Sequence, residues 1–157
     1  MLNTAKTIVL ASGFWRFRAP RWHSGELWVS DPRAGKVYRI DLDGKVTVVA
    51  EVPSRPFGLG FLPDGDLLVA SMTRRLILNL AGGKTAVHAD LADAAVGYLR
   101  DMAVTRDGNA YVTSFDADAA GPDCFASARI LLATPEGKVR SVADDMPHPN
   151  GLVIARA

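Results

Sequence analysis

The sequence predicts an all-β protein built as a partial β-propeller, with three four-stranded blades and spare terminal strands. Three observations support this prediction. Turn glycines recur at Gly25, Gly65 and Gly108, which are 40 and 43 residues apart. Each is followed by a strand of small, apolar and β-branched residues that ends in serine: LWVS, LLVAS and AYVTS. No segment has a long helical apolar period, and four antiparallel strands in about 40 residues are the repeating unit of a propeller blade.

Each repeat also supplies the remaining strands of its blade. A short apolar strand precedes the turn glycine, and a third strand follows the serine (KVYRID, RLILNL and RILLAT). A DG, GG or EG turn before Lys then leads into a fourth strand (KVTVVAE, KTAVHAD and KVRSVAD). Glycine in such turns supplies the positive φ that a tight hairpin needs. The blades are therefore predicted at about residues 20–52, 56–91 and 98–146.

Two terminal segments and one insertion lie outside this pattern. TIVLASG precedes the first blade, and residues 148–154 read as the start of a fourth blade. The second-turn glycines, Gly44, Gly83 and Gly137, are 39 and 54 residues apart, which places an insertion at residues 115–128. Loops of that length are often functional, and an inert surface loop is the alternative. Three blades with two spare strands do not close a ring, so their open edges predict a homo-oligomer, most simply a two-fold dimer.

Composition excludes several classes of protein. The 157 residues suffice for one domain, and 48% hydrophobic residues suffice for a buried core. Lys and Arg total 18 against 17 for Asp and Glu, so nothing favours a nucleic-acid partner. No apolar run approaches the length of a membrane span or a secretory signal, which predicts a cytoplasmic protein without a membrane partner. The single cysteine, Cys124, excludes an internal disulfide and a CxxC site.

Four sequence blocks resemble the gluconolactonase family, also called the senescence-marker or regucalcin-like family: PRWHSGELWVSD, RPFGLGFLPDGDLLVAS, DMAVTRDGNAYVTSFD and ADDMPHPNGLVI. The resemblance runs from about residue 14 to residue 154. It implies a six-bladed propeller, of which this chain would supply about half. It also implies one divalent cation, calcium or zinc, in the central channel and hydrolysis of sugar lactones or related esters. In that chemistry the cation polarises the lactone carbonyl and activates a water.

The resemblance transfers only part of the family's site to this sequence. Asn150 of HPNG matches a metal ligand, and Asp101 of LRDM matches the aspartate of the family's third-blade motif, which makes it the candidate catalytic residue. Arg18 stands where the family has a glutamate ligand, and Arg100 stands where it has a substrate-binding asparagine. A further aspartate ligand of the family has no counterpart in this sequence. Two guanidiniums repel a dication, so the sequence predicts a degenerate metal site in which Arg18 and Arg100 contact the ligand.

Plainer interpretations of these residues stay open. Asn150 can serve an ordinary turn, Arg100 can pair with Asp101, and Arg18 can be a solvated residue of the alternating WRFRAPRW segment. Three functional hypotheses follow. The chain is an enzyme assembled from two copies, or a non-catalytic module in which Arg18 and Arg100 bind an anion or small molecule such as a carboxylate, a phosphate or a sugar lactone, or an inactive truncated member of the family.

Overall fold

The computed structural model describes residues 6–116, 128–147 and 149–155. Within them the structure assigns twelve β-strands and no helix. The first four strands are β1 (Arg18–His23), β2 (Glu26–Asp31), β3 (Lys36–Ile40) and β4 (Val46–Glu51). The next four are β5 (Pro56–Phe61), β6 (Leu67–Ser71), β7 (Leu76–Ala81) and β8 (Lys84–Asp90). The last four are β9 (Tyr98–Val104), β10 (Ala110–Phe115), β11 (Ala128–Ala133) and β12 (Val139–Met146).

Each group of four strands forms one antiparallel sheet, with the strands side by side in chain order. We call these sheets blade one, blade two and blade three, and their first strands, β1, β5 and β9, the inner strands. The inner strands of neighbouring blades pack on each other. The predicted fold class, an all-β partial propeller with three four-stranded blades, is confirmed.

Blade two lies in the middle and is buried on both faces. Successive side chains of a strand point to opposite faces of its sheet. In β6, Leu68 and Ala70 therefore join the core against blade three, while Leu67 and Val69 join the core against blade one. All five residues of this strand are buried. The sequence LLVAS shows no alternation of polar and apolar residues because both faces of this strand are buried, one against blade one and the other against blade three.

Glycine allows the inner strands of blades two and three to approach closely. A Cβ on Gly58 would lie 2.6 Å from the carbonyl oxygen of Arg100 and 2.7 Å from the backbone nitrogen of Met102. Both of these atoms belong to the backbone of β9, which cannot rotate away as a side chain can. The spacing between β5 and β9 therefore requires glycine at this position.

The three inner strands share a β-bulge near their first residues. Residues 19–20, 57–58 and 100–101 interrupt the pairing of β1 with β2, β5 with β6 and β9 with β10. A bulge leaves two residues opposite one, bends the strand and changes the direction of its side chains. The three bulges lie at the same edge of the molecule because the inner strands begin there.

The terminal segments add no strand to these sheets among residues 6–17 and 149–155. Phe14 and Phe17 instead pack on Tyr38 of β3, with ring centroids 5.3 and 6.5 Å from that ring. Most of the predicted insertion at 115–128, including Cys124, lies outside the described residues. None of the described chain forms a helix long and apolar enough to cross a membrane.

Candidate functional site

A pocket with a volume of about 440 Å³ opens at the edge of the sheets where the inner strands begin. Arginines supply most of its polar lining, and none of the described lining residues is acidic. The lining residues are Trp15, Arg16, Arg18, Pro32, Arg33, Arg55, Phe57, Met72 and Arg100. The pocket therefore collects positive charge from all three blades and from the segment before β1. We call it the arginine pocket.

Phe57 supports two of the arginines. The guanidinium carbons of Arg18 and Arg100 lie 5.8 and 5.5 Å from the centroid of its ring. Arg100 also lies over the ring of Phe115, at 4.2 Å. Phe57 and Arg100 are both the first residue of an inner-strand bulge, so equivalent backbone features in two blades bring them together. A cation within about 6 Å of an aromatic centroid is attracted by the ring, and these contacts restrict the guanidiniums.

Burial and neighbouring charge both act on these arginines. Burial, followed by the charges of Arg18 and Arg16, lowers the pKa of Arg100. Burial, followed by the charge of Arg16, lowers the pKa of Arg18. Arginine ordinarily titrates several units above neutral pH, so both side chains remain cationic. The like charges destabilise one another, and an anion in the pocket would relieve that repulsion.

The buried carboxylate of Asp31, the last residue of β2, connects the two segments that form one side of the pocket. Its Oδ2 accepts hydrogen bonds from the backbone N–H groups of Trp15 (2.9 Å) and Arg16 (3.2 Å). Its Oδ1 accepts from those of Arg33 and Ala34, both at 3.0 Å. Burial raises the pKa of Asp31, but the four hydrogen bonds outweigh burial and hold it below the ordinary value. The carboxylate is therefore ionised at neutral pH.

The residues that Asp31 holds also contact each other through their side chains. The guanidinium carbon of Arg33 lies 4.6 Å from a ring centroid of Trp15. This cation–π contact joins the turn after β2 to the segment before β1. One side of the arginine pocket is thus held by backbone hydrogen bonds to Asp31 and by the stacking of Arg33 on Trp15.

The structure brings together two of the four residues that the sequence singled out. Arg18 and Arg100 line the same pocket, as their assignment to ligand contact requires. Asp101 lies next to Arg100 but has other partners: Arg21 Nη2 donates to its Oδ1 at 2.7 Å, and the N–H of Leu152 donates to its Oδ2 at 2.8 Å. Its assignment as a catalytic residue stays a prediction.

Asn150, the predicted metal ligand, is exposed and is not among the residues that line the arginine pocket. The backbone next to it is held through Leu152, which donates to Asp101. Its assignment as a ligand also stays a prediction.

The residues of the arginine pocket do not fit a hard divalent cation. Calcium takes six to eight oxygen ligands, of which several are carboxylates. The described lining offers five guanidiniums and no carboxylate. Among the described residues, no group of three or more His, Cys, Asp or Glu side chains lies close enough to hold a metal. These residues therefore support no chemistry through a cation bound at this pocket.

Several pocket residues were missed by sequence reasoning. Arg16, Arg33 and Arg55 are far apart in sequence, and no motif connects them, while Phe57 lies two positions after Arg55. Phe57 could have been found from the sequence, because aligning the three repeats on their serines places it at the position that Arg100 occupies in the third repeat. The signal for Arg33 and Arg55 exists only in the folded chain, where separate turns meet at one edge.

Comparison with known proteins agrees with this architecture. A family model described as the SMP-30/gluconolactonase/LRE-like region matches residues 18–157. A search of curated proteins finds no significant match.

Solved structures show the same fold. A gluconolactonase from Xanthomonas campestris superposes with a TM-score of 0.70 at 21% identity, over 86% of this chain and 50% of that one. A calcium-binding regucalcin from Agrobacterium tumefaciens gives 0.67 at 19% identity, over 85% and 45%. A chain of a nidogen–laminin complex gives 0.68 at 17% identity, over 86% and 51%. This chain therefore spans about half the length of these structures, and at such low identity the similarity shows the fold alone.

Proposed function

The chain belongs to the SMP-30/gluconolactonase/LRE-like family, and from that premise we propose that its arginine pocket binds a small organic anion. The ligand class is a carboxylate or phosphate compound of sugar size. The observation that supports the proposal is the lining itself, which has five arginines and no acidic side chain among the described residues.

Charge favours an anionic ligand over a neutral one. Burial and the charge of Arg16 lower the pKa of Arg18, and burial and the charges of Arg18 and Arg16 lower the pKa of Arg100, so these guanidiniums lie close enough to repel one another. An anion among them replaces repulsion with attraction. Guanidinium also presents paired N–H donors in a plane, which match the oxygens of a carboxylate or phosphate.

The aromatic rings reduce the cost of binding. Long arginine side chains lose rotamer freedom when they close on a ligand, at about 0.5–1.5 kcal/mol for each immobilised side chain. Contacts with aromatic rings already restrict three of the arginines. Phe57 contacts Arg18 and Arg100, and Trp15 contacts Arg33. The pocket is therefore partly organised before a ligand enters.

The family resemblance also suggests lactone hydrolysis with a bound calcium or zinc ion. The chain as given has arginines at two of the positions where that chemistry places a ligand and a substrate contact, and it spans half of the related structures. We therefore propose that the chain alone hydrolyses lactones at no more than the background rate. A sugar lactone or its open carboxylate is a reasonable first probe, because the carboxylate supplies the negative charge that the pocket favours.

Isothermal titration of the purified chain tests this proposal. The titrants are inorganic phosphate, sodium gluconate and calcium chloride, each at low and at moderate ionic strength. We expect an anion to bind and to bind more weakly at higher salt, because partly exposed charges are screened. We expect no measurable heat from calcium.

Matched variants locate the binding. Arg18→Gln and Arg100→Gln should each weaken anion binding by about tenfold, which is about 1.4 kcal/mol. Arg106→Gln removes the same charge from an exposed residue in the β9–β10 turn, outside the pocket, and should leave the affinity within about twofold. Equal losses in all three variants, or calcium binding without anion binding, would overturn the proposal.

A further inference from the structure

We infer that Asp31 is the positioning residue of the arginine pocket, because it holds residues 15–16 against the turn after β2 so that Arg16 and Arg33 face one ligand. The effect of this positioning on ligand binding rests on the proposed function. The positioning itself is measurable without a ligand.

The carboxylate of Asp31 holds two separate segments of the chain. Each oxygen of Asp31 accepts two backbone N–H groups, one pair from residues 15–16 and the other pair from residues 33–34. Both segments contribute side chains to the pocket. The segment before β1 belongs to no sheet, so its place at the pocket depends on contacts of this kind.

An ionised carboxylate suits this position in a way that an amide cannot. Its two oxygens accept hydrogen bonds only, so both pairs of N–H donors are satisfied. The side-chain amide of asparagine would turn an NH₂ group toward one pair, which leaves those donors unpaired. The carboxylate also places a negative charge behind the pocket wall, which offsets part of the repulsion among the arginines.

The three repeats show that Asp31 is not a general requirement of the blade. The residue that follows the strand-ending serine is Asp31 in blade one, Met72 in blade two and Phe115 in blade three. Met72 lines the pocket and Phe115 lies under Arg100, so all three equivalent positions contribute to this site. Blade one differs in having a carboxylate. The segment before blade two, which brings Arg55 to the pocket, is held instead by backbone hydrogen bonds, in which the N–H of Met72 donates to the carbonyl oxygen of Arg55 at 3.0 Å.

Tryptophan fluorescence measures the positioning directly. In a Trp22→Phe, Trp28→Phe background, Trp15 is the remaining tryptophan. Trp15 is already 69% exposed, so its fluorescence anisotropy, which reports local mobility, measures how firmly residues 15–16 are held. Asp31→Asn should lower the anisotropy of Trp15 and weaken phosphate or gluconate binding by about tenfold per folded molecule. Asp41→Asn is the matched control, because Asp41 accepts two backbone N–H groups at an exposed turn away from the pocket. It should change neither quantity.

A second pair of variants keeps the test valid if Asp31→Asn does not fold. Arg16→Pro removes one of the N–H groups that Asp31 binds and leaves blade one intact, whereas Arg16→Ala keeps that N–H and removes only the guanidinium. The anisotropy of Trp15 should fall in Arg16→Pro and not in Arg16→Ala, while both variants weaken anion binding. Equal anisotropy in the two variants would overturn the role of Asp31.

The outcomes separate this inference from the proposed function. If the unmutated chain binds no anion but Asp31→Asn still lowers the anisotropy of Trp15, the proposed function fails and Asp31 only anchors the segment. If the chain binds anions and Asp31→Asn alters neither anisotropy nor affinity, the proposed function stands and the positioning role is wrong.

Discussion

The guanidinium of Arg21 lies 2.7 Å from the carboxylate of Asp101, so a side chain of blade one forms an ion pair with the inner strand of blade three. Between these two blades the side chain of Arg21 crosses blade two, where its Nε donates to the carbonyl oxygen of Leu59 at 3.0 Å. Arg21 Nη2 also donates to the carbonyl oxygen of Met102. One side chain therefore connects all three inner strands, and Asp101 extends the connection to Leu152.

Removing this arginine should destabilise the fold. Arg21→Ala leaves Asp101, whose side chain is 12% exposed, without its cation. Because the pair is only partly buried, with Arg21 23% exposed, the loss should lie between those of exposed and buried pairs, at about 2 kcal/mol. Thermal or urea unfolding measures the loss. Arg39→Ala breaks the more exposed pair with Glu26 and should cost less than about 1 kcal/mol. Equal losses in the two variants would contradict a special role for Arg21.

Adding one methyl group at Gly58 should separate blades two and three. In Gly58→Ala the new Cβ would meet two backbone atoms of β9 at 2.6 and 2.7 Å, and overpacking of this kind costs about 1–3 kcal/mol. The midpoint of urea unfolding measures the effect. Gly151→Ala is a fair control, since its Cβ would meet its nearest neighbour at 3.8 Å. An unchanged midpoint in Gly58→Ala would show that the inner strands are packed less closely.

Restoring the family's residues should change the preference of the pocket. The double variant Arg18→Glu, Arg100→Asn exchanges two positive charges for one negative charge and one amide. It should weaken anion binding and gain only weak calcium affinity, because Arg16, Arg33 and Arg55 still carry positive charge in the pocket and a hard cation needs more oxygen ligands than the two new residues supply. Calorimetric titration of calcium and of gluconate into the unmutated chain and the double variant measures both affinities. Micromolar calcium binding by the unmutated chain would refute the assignment of Arg18 and Arg100.

The contribution of Asp31 to stability should depend on pH. Four backbone hydrogen bonds hold its pKa in the folded state below the ordinary value of about 3.9. The ionised group therefore stabilises the fold fully above about pH 5, and this stabilisation is lost as the pH falls through 3.9 toward the lower folded value. The difference in unfolding free energy between the unmutated chain and Asp31→Asn should shrink from pH 6 to about pH 2.5. A difference independent of pH would contradict ionisation as the source.

We propose that the chain forms a homodimer in solution. Val153 and Ile154 are 86% and 45% exposed and follow Leu152, whose N–H donates to Asp101 of β9, and apolar side chains exposed together commonly mark an interface. Light scattering at micromolar concentration should give twice the mass of the chain. Val153→Asp should shift the mass toward that of one chain, while Val87→Asp on β8 should not. A monomer at all concentrations would exclude the dimer.

Sequence reasoning located Arg18 and Arg100 but not the rest of the pocket. Both were singled out because the family has other residues at their positions, and that comparison needs no coordinates. Arg33 and Arg55 lie in turns of different blades and give no such signal. Their position follows from antiparallel pairing, which brings the turn after each second strand to the same edge as the beginning of each inner strand.

Local chemistry in the sequence determined the strands, the turns and the number of blades. Alternating or continuous apolar residues define which faces of a strand are buried. Glycines such as Gly25 and Gly65 define where hairpins turn. Both effects act over a few residues. Only the tertiary structure decided which charges meet. Arg21 reaches Asp101 across 80 positions of sequence, and Asp31 holds residues 15–16, because bulges and sheet packing set these distances. Long-range contacts of this kind depend on the summed geometry of several elements, which no local pattern encodes.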